Sequence, residues 1–163
     1  MPTVRRRSKR SVTLGRTTAI ASAVAAMSIL GVSVSAAPSM ADSADNLRGA
    51  VMTARLACEP IRSDPLVEQA AEIVNRSTDK WLDHTGRAVP VPDPLPILKD
   101  LGYGGKRAVK IEGAGDTDAQ AIAGLLIIGS DILPDCSYAD YGVSVLQNHT
   151  TGHFLTTVVL AGA

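Results

Sequence analysis

Residues 141–160 read YGVSVLQNHTTGHFLTTVVL, and this stretch decides the fold class. Tyr141 to Leu146 alternates around Val143 and Val145, as a half-buried strand does. Phe154 to Leu160 is almost wholly apolar or β-branched, as suits a central strand. Gln147 to His153 between them is polar and contains Gly152, so the two strands form a hairpin.

Upstream of the hairpin the period changes from two to 3.6. Leu47, Val51, Ala54 and Cys58 recur on one helical face, which predicts a helix from about Asn46 to Ala57, stopped by Glu59-Pro60. Asp64-Pro65 supplies an N-cap and a first-turn proline for a second helix. Leu66, Ala70, Ile73, Ser77 and Trp81 read as its core stripe, with Glu68, Glu72, Arg76 and Lys80 towards solvent. Pro90, Pro92 and Pro94 make the following segment an ordered loop, and Leu95 to Leu101 a short helix ended by Gly102. Val109 and Ile111 alternate with polar neighbours in a strand from Lys106 to Glu112. Thr117-Asp118-Ala119-Gln120 is a capping-box pattern opening a helix from Asp118 to Ile128. That helix is strongly apolar and is expected to be buried. The order α-α-α-β-α-β-β predicts an α+β domain, sandwich-like, with helices packed on a small antiparallel sheet.

The N-terminus belongs to a different part of the chain. Arg5, Arg6, Arg7, Lys9, Arg10 and Arg16 precede an uncharged run from Thr17 to Met40 that ends in small residues. This is a secretory signal at residues 1–41, with cleavage expected after Ala41 and Val34-Ser35-Ala36 as the alternative site. The run is long enough to serve as an uncleaved anchor. Its Ala and Ser content and its cleavage sites favour removal, so no transmembrane anchor is expected in the exported chain. The Arg pair also fits the twin-arginine route, which the residues after it match poorly. The remainder, 42–163, is a single domain. The leader takes six of the 16 basic residues and none of the 16 acidic ones, leaving a domain of net charge −6. Such a domain has no electrostatic reason to bind nucleic acid or anionic lipid.

Cys58 and Cys136 are the two cysteines, both in the exported part. In an oxidising compartment they are expected to pair. Two buried free thiols are the alternative reading, and no CxxC spacing supports a metal. Asn75-Arg76-Ser77 and Asn148-His149-Thr150 match the glycosylation sequon. No nucleophile-elbow, zinc-protease or phosphate-loop motif is present. His84, His149 and His153 are the only histidines. His149 and His153 read as exposed loop residues. His84 reads as a loop anchor or, alternatively, as a residue lining a cavity and a metal ligand with Glu112.

Across nearly all of 42–163 the chain resembles the CAP superfamily, the cysteine-rich secretory, antigen 5 and pathogenesis-related proteins. Leu47 to Pro60 is similar to the family's first helix, and Cys58-Glu59-Pro60-Ile61-Arg62 to its exit. Asp64-Pro65-Leu66, Trp81-Leu82-Asp83-His84-Thr85-Gly86, Gly102-Tyr103 and Tyr141-Gly142-Val143-Ser144-Val145 carry further likeness. The resemblance implies that His84 is the first cavity histidine and Glu112, in Lys110-Ile111-Glu112-Gly113, the cavity carboxylate. It also implies that Ile128 replaces the second histidine, which leaves a divalent-metal site incomplete. No cofactor is therefore expected. The implied function is an exported, non-enzymatic module that binds a small apolar ligand or a cell-envelope partner. The alternative is a secreted metal-assisted hydrolase using His84 and Glu112.

Overall fold

The computed structural model of the protein describes residues 39–163. The expected leader therefore lies outside the described residues, apart from its last three positions. The elements are α1 (Met40–Ala54), β1 (Arg62–Ser63), α2 (Pro65–Leu82), α3 (Leu95–Asp100), β2 (Arg107–Gly115), α4 (Asp118–Ile128), β3 (Asp140–Gln147) and β4 (Phe154–Gly162). Among the described residues no helix is long and apolar enough to cross a membrane.

The strands form one sheet in the order β1-β3-β4-β2. The hairpin β3–β4 and the β2–β4 pair are antiparallel, in register from Asp140↔Ala161 and from Arg107↔Gly162. The short β1 adds a parallel edge to β3, so the sheet is mixed rather than purely antiparallel. Helices cover both faces. On one, Leu47 and Val51 of α1 and Ile122 and Leu125 of α4 pack with Ile111, Val143, Val158 and Leu160. On the other, Val67, Ala70 and Ala71 of α2 and Leu98 of α3 pack with Val159 and Ala161. The result is an α-β-α sandwich with an aliphatic core.

α2 begins as its sequence dictates. Asp64 Oδ1 accepts from the amides of Leu66 (2.9 Å) and Val67 (3.2 Å), and Pro65 needs no partner for a missing N–H. Its buried face is not the expected stripe. Val67, Ala70, Ala71, Val74 and Asn75 face inward, while Ile73 and Trp81 lie at the rim. The helix backbone lies directly on β3, where a Cβ at Gly142 would meet Glu68 N at 2.3 Å. So close an approach favours Ala70 and Ala71 over larger side chains.

α4 runs over its expected residues, capped by Thr117 Oγ1, which accepts from Gln120 N. Its outer face is open, however, with Ile127 75% and Ile128 64% exposed. Although it is apolar all round beyond Gln120, it does not become buried on both sides, because the domain provides a sheet for one face only. α1 begins at Met40 rather than Asn46. Ser39 caps it, its Oγ accepting from Asp42 N (3.2 Å) while Asp42 Oδ2 accepts from Ser39 N (3.0 Å). It ends at Ala54 because Arg55 leaves the helix and turns its guanidinium into the protein.

Two polar anchors hold the segments between these elements. The buried Arg55 donates to the carbonyls of Leu133, Asp135 and Tyr138. Beside it Cys58 and Cys136 form a disulfide across 78 residues of sequence, with Cα atoms 5.2 Å apart. At the start of β3, the buried Asp140 accepts from Tyr103 Oη (2.6 Å) and Arg62 Nε (2.9 Å).

Candidate functional site

Glu112 lies on β2, its side chain about one-third exposed, accepting from Thr78 Oγ1 at 2.8 Å and paired with Lys110 Nζ. It sits in a cleft of about 340 Å³ between α2, the sheet and the end of α4. Thr78, Leu82, Ala114, Ile128 and Leu155 are among its walls. Ile128, where the resemblance expects a second cavity histidine, thus shares the cleft with Glu112.

His84 is not among the residues lining that cleft. It is exposed just beyond α2, with φ at 55°. The chain reverses around it, the amides of Thr85 and Gly86 both donating to Lys80 O at 2.9 Å. This left-handed position is the usual end of a helix and is more often glycine. The structure therefore places His84 in the turn that ends α2, and the residues lining the cleft around Glu112 are others. His153 Nδ1 lies 3.0 Å from Asp116 Oδ1, and His149 is exposed at the hairpin tip. Among the described residues no three His, Cys, Asp or Glu side chains gather as metal ligands would.

Neither sequon asparagine offers its amide to solvent. Asn75 Nδ2 donates to Ser144 Oγ and Leu155 O, each at 3.1 Å. Asn148 Nδ2 donates to Asp79 Oδ1 (2.9 Å) and Asp83 Oδ1 (2.8 Å), tying the hairpin tip to the end of α2. Hydrogen bonds from Thr150 and Asn148 hold the Asp83 carboxyl below its ordinary range.

A second site was not singled out in the sequence. α1 and α4 lie side by side on one face of the sheet, and a groove runs between them. One part, of about 340 Å³, is lined by Ala50, Ala54, Leu126, Leu133 and Pro134 with the hydroxyl residues Thr53 and Ser130. The adjoining part, of about 510 Å³, is lined by Asn46, Asp118, Ala119, Ile122, Ala123 and Leu126. Leu126 belongs to both. Among the described residues that line this groove Asp118 is the only charged one, and its Oδ2 accepts from Ser43 Oγ at 2.8 Å. The signal in the sequence was the missing polar face of α4, since an apolar helix has one face left over once it has covered a sheet.

No protein-family model and no curated protein matches the sequence. Solved structures do match the fold. An outer surface protein of Borrelia burgdorferi aligns with a TM-score of 0.61 at 12% identity, over 77% of this chain and 96% of that one. A cysteine-rich secretory protein of Staphylococcus aureus aligns with a TM-score of 0.58 at 13% identity, over 78% of this chain and 40% of that one. An extracellular SCP-domain protein of Bacillus anthracis gives a TM-score of 0.53 at 14% identity, over 78% of this chain and 45% of that one. The chain thus spans less than half the length of the latter two proteins. At these identities the likeness speaks for architecture alone. Together with the sandwich and its element order, it shows that this chain carries the CAP, or SCP, fold.

Proposed function

We propose that the protein is an exported, non-enzymatic CAP-like module that holds a small apolar ligand in the groove between α1 and α4. The observation that carries this reading is the groove's lining, which is mostly apolar, with Asp118 the one charged residue among the described residues that line it. Apolar concavities with few polar groups are the usual form of a small-molecule site. Export is supported by the N-terminal leader pattern and by the Cys58–Cys136 disulfide, a bond that persists in oxidising compartments. The extracellular and surface proteins that share the fold support the same location.

The test uses a fluorescent long-chain polyene fatty acid titrated into the exported protein. Saturable binding is expected, weakened at least tenfold by Ala123→Arg, which puts a charge into the groove from an exposed position. Non-saturable binding, or equal affinity in the variant, would remove the groove as the ligand site.

A further inference from the structure

We propose that the open edge of β3 is a docking site for an extended peptide segment that alternates basic and small apolar side chains. This inference is independent of the apolar-ligand reading.

β1 covers only the start of β3. It pairs through Arg62↔Asp140 and Ser63↔Tyr141, and Asp64 N still donates to Tyr141 O at 3.1 Å. The chain then turns away, because Asp64 is the N-cap of α2. The backbone groups of alternate residues on a strand point the same way. Since Tyr141 faces β1, those of Val143 and Val145 also face outward, where the described residues provide no strand. Unpaired N–H and C=O groups on such an edge are a ready template for another chain.

The edge is recessed. α1 and α2 lie on opposite faces of the sheet and flank it, leaving a groove of about 540 Å³ along Val143, Ser144 and Val145. Ser63, where β1 ends, lies at the same groove, so an incoming strand would continue the line of β1. A second copy's β3 would bring the same two flanking helices with it, whereas a single extended chain brings none.

The two walls differ in charge. Ala44 of α1 stands on the face that Val143 shares, with Arg48 of the same helix reaching Glu68, and Glu68, Gln69 and Glu72 of α2 stand on the other. Glu68 is engaged by Arg48 and by Ser63 Oγ, whereas Glu72 pairs only with the exposed Arg76, a weak surface contact. Side chains of a strand alternate between faces. A fifth strand here would therefore set every second side chain on the α2 side, where Glu72 can exchange its surface partner Arg76 for a basic group, and the others against Ala44. Backbone pairing would give affinity and the alternate side chains specificity, as in other strand-addition complexes.

The probe is an end-capped pentapeptide alternating valine and lysine, titrated into ¹⁵N-labelled exported protein. The expected result is saturable shifts at the Val143 and Val145 amides, together with slower hydrogen exchange there. A valine–glutamate pentapeptide should bind at least tenfold more weakly, and Glu72→Lys should reverse that preference. Both variant and wild type should keep the disulfide and the same thermal midpoint, since Glu72 is exposed. The proposal is overturned if these two amides do not respond at millimolar peptide. It is equally overturned if both peptides bind alike, or if the same amides change with protein concentration alone, which would mean self-pairing.

Discussion

Arg55 shows what a single residue contributes to this domain. It is 3% exposed, and its guanidinium reaches three carbonyls of the segment between α4 and β3. That segment has no regular strand or helix of its own, so its carbonyls need donors from elsewhere. Arg55→Met keeps the bulk and removes the donors, and should cost about 2–4 kcal/mol in urea unfolding. Arg55→Lys should recover little of this, since an ammonium cannot reproduce the planar fork. Nothing in the sequence distinguishes Arg55 from the exposed arginines, because its partners lie about eighty positions away. Glu112 was singled out through a family resemblance, and the structure places it on β2 beside Thr78 and Lys110. His84 was legible only as a candidate. Its backbone conformation, set by the reversal after α2, gives it a different place.

Among the elements, those with local signals were read well. The Asp64-Pro65 start of α2, the Thr117 cap of α4 and the alternation in β3 and β4 all depend on neighbours in sequence. The face that α2 buries was misread. Ile73 and Trp81 are the larger apolar residues, yet the helix turns Ala70, Ala71 and Asn75 inward to lie against Gly142. That contact yields a prediction at this scale. Gly142→Ala forces a Cβ to 2.3 Å from Glu68 N and must push α2 off the sheet. A loss of about 2–3 kcal/mol is expected by chemical denaturation, as for overpacking in a core. A variant as stable as wild type would contradict the close packing of α2 on β3. α4 was expected to be buried; instead Ile127 and Ile128 stand exposed, and the flank that carries Ile122 and Leu126 lines the groove with α1. β1, two residues long, is too short to register as a pattern.

At the scale of the molecule, the disulfide is the one covalent link between distant parts, joining the turn after α1 to the segment before β3. Closing a loop of this length stabilises by up to about 4–5 kcal/mol in the chain-entropy view. Cys58→Ser with Cys136→Ser should lower stability by about 2–4 kcal/mol, and reduction of the wild type should match it; an unchanged urea midpoint would show that Arg55 alone holds the segment. By itself the sequence determined the α+β class, the element order apart from β1, the leader pattern and the expected pairing of the cysteines. Each rests on composition or on spacing along the chain, which folding does not alter. Only the tertiary structure decided which face of α2 is buried, that α4 keeps one face open, that Glu112 and Ile128 share a cleft without His84, and that β3 has a bare edge. These depend on how closely backbones approach across the sheet, and residues far apart in sequence set that distance.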